Sequence, residues 1–184
     1  MDLNQQIAAR VRQLRAARDL SLEGLADRSG VSRSMISLIE RSETSATAVV
    51  LEKLAAGLGI TLAALFEPPA ASASPLVRKA DQSVWRDPES GYVRRNVSPS
   101  GSLTPIQIVE VAFPAGARVA YETAGREPAA HQQVWVLEGQ IDVTVGTEQH
   151  ALHEGDCLAF VLDRPTAFRN RTRKTARYAV VIAS

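Results

Sequence analysis

Residues 67–75, EPPAASASP, offer nothing that a core could bury, and the hydrophobic pattern of the chain changes across them. Before them, apolar residues recur at helical spacing: Ile7, Val11 and Leu14, then Leu51, Leu54, Ala55 and Leu58. After them come short runs rich in Val, Ile and aromatics, namely IQIVEVAF, VWVLEG and IDVTV. Gly, Pro and Asp punctuate these runs at the spacing of roughly eight to twelve residues that marks an antiparallel sandwich or barrel. A polar Pro/Ala/Ser stretch between a helical and a strand-rich half reads as a linker. The chain of 184 residues therefore divides into an all-α domain over 1–67, a linker over 68–75 and an all-β domain over 76–184. No internal repeat suggests a solenoid.

Start and stop signals divide the first half into five short helices. Ser21, Ser32, Thr47 and Thr61 each precede an apolar-periodic run, where a hydroxyl can accept an orphan backbone N–H. Gly30 and Gly59 follow such runs, where a left-handed cap is wanted. The expected helices span 3–18, 22–28, 33–40, 48–57 and 62–66.

The stretch SLEGLADRSGVSRSMISLIERSE, residues 21–43, carries the most chemistry. Two short helices joined by three or four residues containing Gly must cross steeply. Ala26 is small enough for the point of close approach, and Val31, Ile36 and Ile39 should face the core. Arg33, Ser34 and Ser37 are left on the outward face of the second helix. An arginine there can bond guanine O6 and N7 in a bidentate fashion. Spacing alone leaves a second reading open, a helical bundle whose exposed face is only solvated.

Charge argues against a purely electrostatic grip on nucleic acid. Residues 1–67 hold eight Lys and Arg against eight Asp and Glu, and the whole chain carries +1. A few placed side chains would have to make the contact, with affinity raised by pairing two heads. No run approaches the ~18 apolar residues of a membrane span. The start, MDLNQQIAARVRQ, has no apolar core behind a basic tip and does not read as a secretory signal. Cys157, the single cysteine, excludes an internal disulfide and fits a reducing cytoplasm.

Residues 7–66 resemble the lambda-repressor-like, or XRE, helix-turn-helix family, through IAARVRQLRAARDLSLEGLADRSGVSRSMISLIERSE and then LEKLAAGLGITLAALF. The resemblance implies a recognition helix over 32–40 in the major groove of double-stranded DNA. It implies base contacts from Arg33, Ser34 and Ser37, and phosphate contacts from Ser32, Arg41 and Ser42. It also implies a structural ion pair between Arg15 and Glu40. Three positions depart from the family pattern. Leu22 replaces the glutamine that opens the second helix, Leu38 replaces a polar residue late in the recognition helix, and Ser42 replaces a glycine. Leu38 could touch a thymine methyl or simply pack.

Residues 76–184 resemble the cupin, a double-stranded β-helix or jelly-roll barrel, through HQQVWVLEGQIDVTVGTEQHALHEGDCLAFVLDRPTAFRN at 131–170, with Gly139 and Gly155 at two corners. Metal-binding cupins use histidines and a glutamate that would fall near Arg126 and Pro128, on Gln132 and on Thr166. None of these is a histidine or a glutamate, so the expectation is no metal and no cofactor. His131 neighbours the glutamate place but should point to the other face of its strand. His150 and His153 read as surface groups, and Cys157, in an apolar run, reads as a small core hydrophobe. The basic run Arg169, Arg171, Arg173, Lys174 and Arg177 reads as solvated.

Alternation from Gln132 turns Gln132, Val134 and Val136 inward, with Thr166 and Phe168 on a later strand and Tyr121 before the corner. An effector pocket would use Tyr121, Gln132, Val134, Thr166 and Phe168; a filled barrel serving only dimerisation is the competing reading. The whole then reads as a non-enzymatic, cytoplasmic transcriptional regulator. Its expected partners are an inverted-repeat operator, a small-molecule effector and a second copy of itself, with no membrane. Two other readings are a cupin metalloenzyme with an accessory helix-turn-helix domain, and a helical head that docks protein instead of DNA.

Overall fold

The computed structural model describes residues 3–66, 74–100, 105–122 and 130–183. The first half forms five helices, α1 Leu3–Ala16, α2 Leu22–Ser29, α3 Arg33–Glu40, α4 Ala48–Gly57 and α5 Leu62–Leu65. Their N-termini are set by the hydroxyls that the sequence offers. Ser21 accepts from Gly24 N–H, Ser32 from Met35, Thr47 from Val50 and Thr61 from Ala64. Gly30 ends α2 at φ 67°, a left-handed cap that an L side chain takes only with strain. The first helix stops two residues before its expected end, because Asp19 turns the chain at φ 53°.

Val31, Ile36 and Ile39 are buried together with Leu25, Leu51 and Leu54 in one helical core. Ala26 on α2 is partly buried, and α2 also approaches α4 closely. A Cβ on Gly57 would come within 2.8 Å of the Ser29 Cβ, so glycine is what lets these helices meet.

The described residues of the second half form ten strands: β1 Val84–Arg86, β2 Val93–Asn96, β3 Ile106–Phe113, β4 Arg118–Tyr121, β5 His131–Glu138, β6 Gln140–Val145, β7 Glu148–His153, β8 Cys157–Val161, β9 Thr166–Arg169 and β10 Ala176–Ala183. They make a six-stranded sheet, ordered β1-β2-β3-β10-β5-β8, and a four-stranded sheet, ordered β4-β9-β6-β7. Every pairing is antiparallel. The fold is thus a helix-turn-helix head followed by an antiparallel cupin barrel. Along β5, Gln132, Val134 and Val136 are buried while His131, Gln133 and Trp135 are exposed, the period-2 alternation of a one-sided strand. Gly139 turns from β5 to β6 at φ 81°, with its missing Cβ facing Ala176 at 3.4 Å.

One core residue is corrected. Cys157 is exposed, with its Sγ 3.9 Å from Gln133 Oε1. It lies on β8, the edge strand of the larger sheet, and pairs with outward-facing Trp135. An apolar run on an edge strand still alternates, and Cys157 falls on the outer phase.

The head and barrel pack directly. Asp87 Oδ1 accepts the Ala48 N–H at 2.8 Å, and Thr61 Oγ1 donates to Gln107 Oε1 at 3.2 Å. Phe66, just after α5, lies 5.4 Å from the Trp85 ring and is covered by the Arg94 guanidinium at 5.0 Å. Most of the stretch expected as linker, 67–73, lies outside the described residues. Among the described residues no helix is long and apolar enough to cross a membrane.

Candidate nucleic-acid interface and barrel cavity

On α3, burial of Ile36 and Ile39 fixes which face is inward, and Arg33, Ser34 and Met35 are exposed near the N-terminus. Ser37 and Leu38 are partly buried one turn on. The helix is held from behind by Arg15 on α1. Its Nε and Nη2 donate to the two carboxylate oxygens of Glu40 at 2.7 and 2.8 Å, and Nη1 donates to the Leu20 carbonyl at 2.8 Å. The hydrogen bond from Arg15 to Glu40 raises the arginine's pKa further above its ordinary value.

Arg33 is lightly held. Its side chain is 68% exposed and its Nε stands 4.0 Å from Glu23, an exposed pair of little strength. Arg41 is more occupied. It donates to both oxygens of Glu43 at 2.7 and 2.9 Å and to Ser37 Oγ at 2.6 Å. Ser32 Oγ accepts from Met35 and lies 3.2 Å from Ser34 Oγ. Ser42 is exposed and sits at φ 58°, a left-handed position rare outside glycine.

Between the sheets is a cavity of about 70 Å³, roomy enough for several waters or a small ligand. Tyr121, Gln132, Thr166 and Phe168 line it; Val134 is fully buried but does not reach it. Sequence reasoning missed the cavity residues Glu52, Tyr92, Arg94 and Tyr178. The head supplies part of the wall, through Glu52 of α4 and Thr61 and Leu62 at the start of α5. Aromatic rings run around it in succession, Phe66–Trp85–Tyr92–Phe113–Tyr178–Phe168–Tyr121, with centroids 5.4 to 6.3 Å apart. Tyr92 and Tyr121 bring their hydroxyls to 3.2 Å. Burial pushes all three tyrosine pKa values upward.

Cupin folds imply a metal, and the residues present do not fit one. The places that would supply a carboxylate and an imidazole hold the amide of Gln132 and the hydroxyl of Thr166. A guanidinium on the same wall would repel a divalent cation. The places of the early histidine pair, Arg126 and Pro128, lie outside the described residues. Among the described residues, no three His, Cys, Asp or Glu side chains are grouped to hold a metal ion.

Residues 11–65 match the helix-turn-helix family model and residues 110–182 match the cupin domain model. The chain carries an XRE-type helix-turn-helix domain and a cupin domain. The HTH-type transcriptional regulator SutR of Escherichia coli is 29% identical over 176 residues, covering 96% of this chain and 93% of the relative. The crystal structure of an HTH_3 family transcriptional regulator from Vibrio cholerae superposes with a TM-score of 0.80 at 26% identity, covering 99% of this chain and 97% of that one. The structure of FeII HppE, at 17% identity and a TM-score of 0.51, covers 98% of this chain and all of that one; the likeness is one of fold alone.

Among the described residues, no histidine and no cation other than Arg94 lines the cavity. His153 is exposed, and His150 Nε2 lies 3.7 Å from Glu148. Arg171 pairs with Asp142 at 2.7 Å, and Arg177 with Glu110 and Glu138 at 3.0 and 3.2 Å.

Proposed function

We propose that the chain is a cytoplasmic, sequence-specific DNA-binding transcriptional regulator that acts as a homodimer and responds to a small molecule in its barrel. The observation that carries this reading is α3 itself. Ile36 and Ile39 anchor it, the Arg15–Glu40 pair fastens it, and Arg33 and Ser34 are exposed at its N-terminal end. A helix held so and placed in the major groove reads bases with its first residues. Arg33 takes the bidentate contact to guanine, Ser34 and Ser37 add shorter ones, and Ser32, Arg41 and Ser42 face phosphates. Arg41 must first exchange Glu43 for the phosphate, a swap between two exposed partners of similar charge.

A neutral head gains affinity by pairing, and the larger sheet offers a surface for it. Ile108, Val181, Gln133 and Ala159 lie side by side across its outer face, and Glu110, Ala179, Trp135 and Cys157 form the next row. Trp135 is 50% exposed, with Ile106 and Ile108 also open to solvent. Apolar patches of this kind mark association, and the occupant here is a second copy. Two heads so joined would meet half-sites about one turn of DNA apart, ~34 Å. An effector that binds one head–barrel arrangement better than another shifts the population by its differential affinity.

The test is footprinting on selected genomic fragments. The wild-type chain should protect an inverted repeat, and Arg33→Ala should weaken that site by roughly 5- to 150-fold, the loss of about 1–3 kcal/mol expected for one bidentate base contact. Equal protection by the Arg33→Ala chain would show that α3 does not do the reading.

A further inference from the structure

The barrel cavity contains a cation that its surroundings do not fully satisfy. Arg94, on β2, is 6% exposed and lines the cavity. Its Nε makes one long bond, 3.4 Å, to Asn96 Oδ1, and one face of the guanidinium covers Phe66. Its Nη2 has no hydrogen-bond partner among the described residues. Leaving a buried charged donor without a hydrogen bond is costly, and the cation–π contact offsets only part of that cost. Burial lowers the arginine's pKa, while the nearby Tyr92, Tyr121, Glu52 and Tyr178 act to raise it. A planar fork with a spare N–H beside two tyrosine hydroxyls matches the geometry of an oxyanion. Most of the rest of the wall, including Val111, Phe113, Leu162 and Phe168, is apolar, with Thr61, Gln132 and Thr166 as its other polar groups. That combination suits the body of a small organic acid.

The position of the cation is as informative as its chemistry. Arg94 belongs to the barrel, but it stacks on Phe66 and shares the cavity with Glu52, both from the head. We propose that the cavity binds a small organic oxyanion through Arg94, and that the bound anion competes with Glu52 of α4 for that guanidinium and so loosens the head from the barrel. This rests on the effector-responsive reading given above and names its ligand class. With the cavity empty, the Arg94 charge draws Glu52 toward the barrel. With an anion in place the attraction is screened, two negative groups share one wall, and the head positions shift relative to each other across the dimer. The ligand thus differs in affinity for the two arrangements, as a switch requires.

The probes are sodium acetate and sodium benzoate, set against sodium chloride at equal ionic strength and against the neutral isosteres acetamide and benzamide. The full-length chain reports through Trp85 and the three tyrosines, which line or adjoin the cavity. At least one of the two carboxylates should give a saturable change that its amide does not. Arg94→Gln should weaken that binding at least tenfold, and Glu52→Gln should strengthen it several-fold. Arg94→Lys, which keeps the charge and loses the fork, should fall between and serves if the glutamine variant does not fold. Saturable binding of the amides alone would overturn the anion assignment while leaving a ligand-binding barrel intact. Carboxylate binding unchanged in both Arg94 variants would also overturn it. If no probe of either kind perturbs any cavity residue, the anion assignment falls; if operator binding also ignores cell-extract metabolites, the effector-responsive reading falls with it.

Discussion

Asp87 of the barrel caps a helix of the head: its Oδ1 accepts the Ala48 N–H at the start of α4, 2.8 Å away. The other oxygen accepts from the Ser90 N–H and hydroxyl at 2.8 and 2.5 Å. At 2% exposure no water can replace these bonds. Asp87→Ala should therefore lower stability by about 2 kcal/mol, the upper end for a lost helix cap, and Asp87→Asn by less. Urea unfolding followed by fluorescence of Trp85, which sits next to the junction, measures it. A change below ~0.5 kcal/mol would mean that the cap contributes little to joining the domains.

Arg15 and Glu40 form the other bond on which the reading helix depends. The Glu40 side chain is 5% exposed and that of Arg15 is 18% exposed. Removing Arg15 leaves the buried carboxylate with only the exposed Arg12, 3.9 Å away, as a charge partner, and breaking a buried pair in this way typically costs ~3–5 kcal/mol. Arg15→Ala should reduce head stability by an amount in that range. The double variant Arg15→Met/Glu40→Leu should recover most of the loss, because apolar residues of similar volume pack without an uncompensated charge. Thermal unfolding of the two variants provides the comparison.

Local signals carried the head, and long-range convergence hid the cavity. Ser21, Ser32, Thr47 and Thr61 act within one helical turn of their own position, so each was readable from its neighbours. The Gln132–Val134–Val136 alternation was equally local. Glu52, Arg94 and Tyr178 meet only because α4, β2 and β10 come together in three dimensions. A trace of that was present: Tyr92, Arg94 and Asn96 share one phase of the run YVRRN, and a charge on the same phase as an apolar ring is out of place on a half-buried strand. Cys157 misled because an apolar run does not reveal which phase of an edge strand faces out.

Ser42 holds a left-handed conformation immediately after the helix that carries Arg33. Its N–H bonds the Ile39 carbonyl at 2.9 Å and the next N–H, of Glu43, reaches Leu38 at 2.9 Å, so the turn closes the end of α3. An L residue there is strained by ~1–2 kcal/mol, against ~0.5–1 kcal/mol for the extra freedom glycine has when unfolded. Ser42→Gly should then stabilise the chain by about 0.5–1 kcal/mol, or roughly 2 °C in Tm. If the hydroxyl meets a phosphate, the same variant binds its operator more weakly. Higher Tm with lower affinity would show a residue kept for contact at the expense of fold. Higher Tm with unchanged affinity would remove Ser42 from the interface.

All three tyrosines of the chain, Tyr92, Tyr121 and Tyr178, surround the cavity, and burial raises the pKa of each, that of Tyr121 and Tyr178 well above the ordinary value of 10.0. A phenol with a raised folded pKa binds its proton more tightly in the native state than in the unfolded chain. Above pH ~10 the unfolded state holds fewer protons, so native stability is intact below that pH and falls as pH rises past it. Absorbance of tyrosinate should therefore stay absent in the native chain through pH 10 and then rise for all three residues together, coincident with loss of the Trp85 signal. One tyrosine titrating near its ordinary pKa while Trp85 remains native would mean that water reaches the cavity freely. An oxyanion on Arg94 would add a further negative charge beside these rings, so at saturating benzoate the joint transition should move to higher pH.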